Sequence, residues 1–266
     1  MDETRVSARE GCRAFRLGDE ELIADCSGAL YWPAARLLAV ADLHFEKGSS
    51  YAARGALLPP YDTRATLERL AAVIARYAPE TVVALGDSFH DPQAEARLGA
   101  DDFEVLSRTA DAVNWVWISG NHDPEPPARL GGLVRESLSQ GPLRFVHEAK
   151  GAAAPGEVSG HYHPKAAIRR RGRTVVRPAF IFDDRRLILP AFGTYTGGLD
   201  VLDPAIAALM RQPFSVFMTG RDRIYALTSD RLHLRDVGCP PHPASAKARP
   251  EGGAKPPQPS PPRGEG

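Results

Sequence analysis

The sequence lacks several features that mark particular classes of protein. No stretch in its 266 residues approaches the roughly 20 consecutive apolar residues that a membrane-spanning helix needs. The first residues are acidic and polar, where a secretory signal would place an apolar segment. Its 33 basic and 33 acidic residues give a formal net charge of zero, which favours no particular partner. We therefore expect no secretory leader and no membrane partner.

Cysteine is also scarce. Cys12, Cys26 and Cys239 are odd in number and scattered along the chain. This pattern argues against a disulfide framework and against a thiolate-based zinc site, and it is typical of reduced thiols. The sequence therefore predicts a cytoplasmic protein.

The end of the chain has little that could form a core. Residues 239–266 are rich in Pro, Gly, Ser and charged residues, and they contain no large apolar residue. Such a segment cannot bury enough surface to offset the entropy of ordering it. We expect residues 1–238 to form one large domain and residues 239–266 to be a disordered tail.

The rest of the sequence alternates strand and helix patterns. The first thirty or so residues predict a β-meander. Apolar runs at 37–41, 81–85 and 115–118 predict buried strands, and residues 93–112 a more polar helix. Shorter strands are expected at 143–146, 156–159, 174–176, 180–182 and 187–189. This order predicts an α/β core that carries a mixed sheet.

One helix is predicted in more detail, between the first two buried strands. Asp62 or Thr63 should cap its start, and it should end at Pro79. Its apolar side chains recur at helical spacing and should line one face: Leu67, Leu70, Ala71, Ile74 and Tyr77.

Polar motifs follow each of the three buried strands, where an open α/β sheet usually presents its ligands. Alone, Asp42-x-His44 is better explained by a turn that caps a helix, and Gly86-Asp87 equally well by a turn that ends a strand. A third motif in the same position makes chance improbable. It comprises Gly120, Asn121, His122 and Asp123.

Histidines supply the remaining candidate ligands. His161 and His163 stand two residues apart after a short predicted strand, and His147 ends another. A lone histidine is more often structural, but a pair at this spacing favours metal binding. Oxygen and nitrogen donors without a thiolate suit Mn, Fe or Zn better than calcium. We expect two divalent ions and phosphoester hydrolysis by metal-activated hydroxide.

The ordered motifs from Asp42 to His163 resemble those of the calcineurin-like metallophosphoesterase superfamily. The resemblance implies a four-layer α/β/β/α sandwich with two mixed sheets. It also implies Asp87 as a bridge between the metals and His122 as the proton donor or transition-state contact. The remaining ligands divide into a first metal set, Asp42, His44 and His163, and a second, Asn121, His147 and His161.

One motif departs from the family pattern. Members often have Gly-Asp-x-x-Asp, whereas here Asp91 comes one residue later. This spacing puts in doubt a supporting role for Asp91 beside the metals. His90 is either a turn residue or a substrate contact, and Asp123 is a further candidate for a supporting role.

Four longer segments narrow the resemblance to the bacterial DNA-ligase-associated phosphoesterases, described as DNA-damage-response endonucleases: 41–48, 86–91, 160–164 and 189–199. This resemblance covers about residues 22–227. It implies a phosphodiesterase or endonuclease that uses manganese. It also implies work in DNA repair beside an ATP-dependent DNA ligase, a helicase and a nuclease.

Direct sequence support for nucleic acid is limited to a basic cluster. Arg169, Arg170 and Arg171 follow the histidine pair, and further basic residues lie near them in the sequence: Lys165, Arg173, Arg177, Arg185 and Arg186. They could neutralise phosphates beside the metals, or they could form a solvated hairpin. Two alternatives to a DNA endonuclease stay open. One is a phosphatase acting on monoesters, nucleotides or phosphoproteins, and the other is a metal-stabilised interaction module without catalysis.

Overall fold

The computed structural model describes residues 10–55, 61–123, 128–152 and 154–232, which belong to one compact unit. The predicted tail lies outside the described residues, so the tail and its boundary at residue 238 stay predictions. Within the described residues, no helix is long and apolar enough to cross a membrane.

Seven strands form the first sheet, in the order in which they occur along the chain. They are β1 Cys12–Leu17, β2 Glu20–Asp25, β3 Leu30–Trp32, β4 Leu37–Val40, β5 Thr81–Leu85, β6 Asn114–Ile118 and β7 Leu133–Arg135. Strands β1 to β4 are antiparallel, which confirms the predicted meander, whereas β4 to β7 are parallel. The carboxyl ends of β4, β5 and β6 therefore meet at one edge.

Helices cover the outer face of this sheet. They are α1 Lys47–Ala53, α2 Asp62–Tyr77, α3 Ala94–Arg97 and α4 Ala100–Asp111. Leu67 and Leu70 of α2 pack in one buried cluster with Leu38 and Val82 of the sheet. Burying each leucine contributes roughly 2 kcal/mol.

The polar helix predicted at 93–112 is two helices in the structure, α3 and α4. They are separated at Leu98 and Gly99.

The predicted start of α2 is wrong in its caps, although the helix itself is confirmed. No side chain caps the helix at Tyr61. Asp62 Oδ2 accepts from Gly48 N at 2.9 Å, and Thr63 Oγ1 accepts from Glu46 N at 2.9 Å. These side chains hold the chain that follows β4, because a tertiary partner competes for them. Ala71, which was predicted to lie on the buried face, is exposed.

Eight strands form the second sheet. They are β8 Ser137–Gln140, β9 Leu143–Val146, β10 Glu157–Ser159, β11 Lys165–Arg170, β12 Arg173–Phe182, β13 Arg186–Ile188, β14 Ser215–Thr219 and β15 Ile224–Thr228. Its order is β15-β14-β12-β13-β10-β9-β8, and β11 pairs with β12. Strands β9, β10 and β13 are parallel and the other pairs antiparallel. Both sheets are therefore mixed.

The two sheets pack face to face over a shared core. Val83 and Ile118 of the first sheet lie in one buried cluster with Phe145 and Phe180 of the second. A further cluster covers the other face of the second sheet and includes Ile206 of a short helix α5, Pro204–Ala207. The predicted four-layer α/β/β/α sandwich is confirmed.

One long strand replaces two predicted short ones. Residues 174–176 and 180–182 both belong to β12, which continues through Pro178. Proline has no N–H to donate to a ladder, so it suits a strand that changes partners. Here β12 pairs with β11 up to Pro178 and with β14 from Ala179 onward.

Arg186 was grouped with the phosphate-binding arginines in the sequence, but it lies in the core. Its side chain is 0% exposed and pairs with Glu157 at 3.1 Å. Its guanidinium also donates to the Leu209 carbonyl at 3.2 Å and the Gly151 carbonyl at 3.1 Å. Arg186 therefore connects the end of the second sheet to neighbouring loops and is not available to a substrate.

We predict that Glu157→Gln destabilises the protein by about 3–5 kcal/mol, because it leaves the buried Arg186 without a counter-charge. Glu80→Gln is the matched control, since Glu80 pairs with Arg36 at 2.8 Å on the surface and should cost under about 1 kcal/mol. Urea unfolding of both variants measures the difference. Equal losses would contradict the structural role of the buried pair.

Candidate metal centre

Backbone and side-chain hydrogen bonds bring the strand-end motifs together. His44 N donates to the Asp87 carbonyl at 2.9 Å, which joins the loops after β4 and β5. His122 N donates to Asp87 Oδ1 at 2.9 Å, which adds the loop after β6. His161 N donates to Asp42 Oδ2 at 2.9 Å, which attaches the second sheet. One site therefore forms where the edges of both sheets meet.

Six of the predicted ligands form two groups within the described residues. In each group, one potential ligand atom from each residue lies within 4.8 Å of the others. The groups are Asp42, His44 and His163, and Asp87, His147 and His161. This division agrees with the two metal sets that the family resemblance implied, except that Asp87 was predicted as a bridge.

The first group brings two imidazoles onto one carboxylate. His44 Nε2 and His163 Nε2 lie 3.2 Å apart, and His163 Nε2 lies 3.4 Å from Asp42 Oδ1. All three side chains are nearly inaccessible to solvent. A neutral imidazole has one lone pair, so two facing rings can share at most one proton, whereas a cation can accept from both. The arrangement suits a buried cation.

The second group fixes the tautomer of His147. Its Nδ1 lies 2.9 Å from the Leu85 carbonyl, which can only accept, so this nitrogen carries the proton. The opposite nitrogen, Nε2, lies 2.8 Å from Asn121 Oδ1 and 3.5 Å from Asp87 Oδ1. His147 Nε2 and these two oxygens are all hydrogen-bond acceptors, so they repel one another unless a cation binds between them. His161 Nδ1 also lies 3.1 Å from His147 Nε2.

The pKa values of the candidate ligands in the metal-free protein also favour a cation at this site. Burial, with a smaller contribution from Asp87, raises the pKa of Asp42 to about 7. Burial lowers the pKa of His163 to about 3 and that of His44 well below its usual value. The site therefore disfavours its own charges, and a divalent cation would reverse this penalty for the carboxylates. The oxygen and nitrogen donors fit divalent metals.

The backbone at the candidate ligands is in the left-handed region. The φ angle is positive at five of the six grouped residues: Asp42 (54°), His44 (46°), Asp87 (47°), His161 (71°) and His163 (47°). Residues without glycine's freedom rarely adopt this conformation, and such strain clusters at functional sites. The hydrogen bonds between loops hold the strained backbone, so the ligands are positioned before any metal binds.

Glycines in the motifs give room for this close approach. A Cβ on Gly86, which has a φ of 73°, would overlap the His147 ring. A Cβ on Gly120 would overlap Asp87, and one on Gly160 would lie 2.7 Å from Asp42 Oδ2. Each glycine therefore lets one motif lie directly against a ligand of another.

His122 lies at the solvent side of the site. Its Nδ1 is 3.0 Å from the His90 carbonyl, which fixes the ring, and its Nε2 is 3.9 Å from Asp87 Oδ2. The His90 ring stacks on it with centroids 5.4 Å apart, and the half-exposed Tyr51 ring lies 6.1 Å beyond His90. These rings line an approach from solvent to the metal ligands.

Asp91 and Asp123 have different neighbours. Both carboxylate oxygens of Asp91 accept from Arg97, at 2.9 and 2.8 Å, so Asp91 is paired with a residue of α3. Asp123 Oδ2 accepts from Ser88 N at 2.8 Å and Phe89 N at 3.0 Å. Asp123 therefore holds the loop after Asp87, and burial raises its pKa to about 8.

The arginine cluster lies away from the site. Arg169 and Arg171 are exposed near the turn between β11 and β12, and the side chain of Arg170 lies outside the described residues. Five residues of strand separate this turn from Lys165, about 17 Å at the usual rise. Of the two interpretations that the sequence left open for this cluster, the solvated hairpin is therefore favoured over phosphate contacts beside the metals.

Two lysines lie nearer the site than these arginines. Lys165 was among the basic residues predicted as possible phosphate contacts, whereas Lys47 was not predicted to lie at the site. Lys47 is largely buried near the first ligand group. Burial lowers its pKa, and the charge of Asp42 opposes this shift. Lys165 follows His163 by two residues, and its Nζ donates to the Thr196 carbonyl at 3.0 Å. The closeness of Lys47 in sequence to His44 was the signal that could have identified it.

Two donor groups between mixed sheets define the site of a metal-dependent hydrolase. The model of the calcineurin-like phosphoesterase family matches residues 35–184, more than half of the chain. The chain belongs to this family, and the protein is a metal-dependent phosphoesterase.

Solved structures include similar proteins. Pseudomonas putida nuclease MPE is 30% identical, with a TM-score of 0.63, over 81% of this chain and 100% of its own. Yfce, a phosphoesterase from E. coli, is 14% identical, with a TM-score of 0.37, over 72% of this chain and 97% of its own. No curated protein sequence matches significantly.

We predict that Gly86→Ala lowers the free energy of unfolding by about 1–3 kcal/mol more than Gly18→Ala, because only the first adds an overlap with neighbouring atoms. Both glycines have positive φ, 73° and 59°, but nothing lies within 4 Å of a Cβ at Gly18. Gly86→Ala should also weaken metal binding by displacing His147. Unfolding curves and metal titration of both variants measure these effects, and equal behaviour would contradict the packing.

The raised pKa values of Asp42 and Asp123 predict a pH dependence. A raised pKa in the folded state stabilises it at low pH, and this contribution disappears as pH rises through that pKa. Above about pH 7 histidine is mostly neutral even in the unfolded chain. The carboxyls then dominate, and metal-free protein should lose stability from about pH 7 to pH 8, through the values of about 7 and about 8.

Urea unfolding in chelator and in divalent metal checks this dependence, which bound metal should remove. Asp123→Asn is the control, because it keeps an acceptor for Ser88 N and Phe89 N but does not titrate. Its loss between pH 7 and 8 should be smaller than that of the unaltered protein. A metal-free protein whose stability rises over this range would refute the assignment.

Proposed function

We propose that the protein is a dinuclear-metal phosphodiesterase that cuts DNA, with manganese as its physiological metal. The observation that carries this proposal is the pair of donor groups where the two sheets meet, in a chain 30% identical to a nuclease over 81% of its length. The full set of site residues also disfavours a purely structural metal site. A structural site needs ligands but has no use for His122 at the solvent side.

The residues have separate tasks in this proposal. Asp42, His44 and His163 would hold one ion, and Asn121, His147 and His161 would hold the other, with Asp87 as a ligand that both could share. Two divalent ions would polarise the phosphoryl group and lower the pKa of a water molecule. His122 donates a proton to the leaving oxygen or holds a phosphoryl oxygen, since its ring is fixed by the His90 carbonyl.

The cellular setting belongs to the same proposal. The segments typical of the DNA-ligase-associated branch support a role in DNA repair beside an ATP-dependent DNA ligase, a helicase and a nuclease. Cys26 carries a free thiol, which suits a reducing cytoplasm.

We predict that Asn121→Ala and His122→Ala each reduce DNA cleavage, the second by roughly 10²–10⁴-fold if it removes a proton donor. His122→Ala should retain bound metal, whereas Asn121→Ala should lose affinity for one ion. The assay offers manganese-loaded protein a phosphodiester model, a phosphomonoester model and single-stranded or nicked DNA, and metal content is measured in parallel.

Asn114→Ala is the matched control, because Asn114 is exposed at the opposite end of β6 from Asn121. It should cleave DNA as the unaltered protein does. Turnover of the monoester alone would reject the nuclease and support a phosphatase. No turnover on any substrate, with metal confirmed bound, would support the interaction module.

A further inference from the structure

A cavity of about 630 Å³ lies beside the candidate metal centre. We call it the basic cavity, because five of its lining residues carry basic side chains: Arg69, Arg76, Lys165, Arg177 and Arg221. They come from α2, from the hairpin of β11 and β12, and from the turn between β14 and β15. The fold therefore gathers charge from segments far apart in the sequence.

The acidic lining of this cavity is already neutralised. Asp25 is the one carboxylate among the described lining residues, and it is 0% exposed. Its Oδ2 accepts from Arg76 at 2.7 Å and from the Tyr77 hydroxyl at 2.8 Å. The remaining basic groups thus give the cavity a net positive charge.

Arg69 has unused hydrogen-bonding capacity there. Its guanidinium lies 4.5 Å above the Phe192 ring, which holds it in place. Among the described residues its buried Nε has no hydrogen-bond partner, and no carboxylate lies within ion-pair distance. Arg177 and Arg221 are exposed and likewise pair with no described carboxylate. These three arginines can accept an anionic ligand.

The basic cavity and the metal centre share part of their walls. Gly193 lines the cavity, and its N donates to the Asp42 carbonyl at 3.1 Å. Ala191 also lines it and pairs with Ala41, directly before Asp42. A strand whose scissile phosphate lies at the metal ligands therefore passes close to the cavity.

We propose that the basic cavity binds a second phosphate of the polynucleotide, next to the one that is cut, through Arg69, Arg177 and Arg221. This inference rests on the proposed nuclease function. Guanidinium groups pair with phosphate oxygens in a fork geometry, and contacts to phosphates position a strand without reading its sequence. The subsite would explain how a chain of zero net charge selects polynucleotides over small diesters.

The test compares Arg177→Gln/Arg221→Gln and Arg69→Gln with the unaltered manganese-loaded protein. The first variant alters exposed side chains, so it should fold even if Arg69→Gln does not. Binding is measured by anisotropy with a labelled, cleavage-resistant phosphorothioate strand. We expect affinity to fall about tenfold, as for loss of a charge-assisted contact, and the salt slope to decrease by about 0.7.

Cleavage gives a second, independent readout. The variants should lose kcat/KM on single-stranded DNA mainly through KM, but keep their activity on bis(p-nitrophenyl) phosphate, which cannot reach both sites. Arg16→Gln/Arg108→Gln is the matched control, because both arginines are over half exposed and lie outside the cavity. It should behave as the unaltered protein.

The outcomes separate the two proposals. Unchanged strand binding in the Arg177→Gln/Arg221→Gln variant, or an equal loss on the small diester, overturns the subsite while leaving nuclease activity intact. Arginine-dependent binding without cleavage by the unaltered protein supports the subsite and rejects the nuclease. Strands with and without a 5′ phosphate distinguish the source, since a loss confined to phosphorylated strands identifies a terminal phosphate and a general loss an internal one.

Discussion

The structure depends on one electrostatic constraint, the convergence of carboxylates and imidazole lone pairs where the two sheets meet. Asp42 is a candidate ligand, and it also accepts from His161 N and so joins the sheets. Asp87 likewise accepts from His122 N and joins two loops of the first sheet. The carboxylate oxygens of Asp42 and Asp87 therefore hold backbone segments together and are also candidate ligands for a cation. Metal affinity and the packing of the two sheets are consequently linked through these two carboxylates.

Much of the site could be predicted from the sequence because its signals are local. A buried strand followed at once by Asp42 or Asp87 carries its own geometry, since the ends of parallel strands share an edge. Helix α2 was found from its periodicity for the same reason. Its caps were wrong, because Asp62 and Thr63 bond to Gly48 and Glu46. Tertiary partners of this kind leave no trace in a local pattern.

The function of the basic residues could not be predicted in this way. The residues around an arginine in the sequence do not show whether its side chain is buried. Arg169 is exposed on a hairpin, whereas Arg186 is fully buried and pairs with Glu157. Charges act through distance and burial, which only the fold determines. Lys47 lies near the ligands because α1 starts there, whereas Arg69 and Arg221 are brought to one cavity by separate layers.

The burial of the ligands and the exposure of the arginines have different consequences for a polyanionic substrate. Asp42 and His163 are almost inaccessible, so their interactions with a cation are little screened by salt. Arg177 and Arg221 face solvent, and attraction between them and phosphates weakens steeply as salt rises. If the proposed nuclease function holds, strand capture would therefore vary with ionic conditions while the chemistry of the metal ligands stays constant. A substrate too small to reach the arginines would contact only the metal ligands, and its binding would therefore depend little on salt.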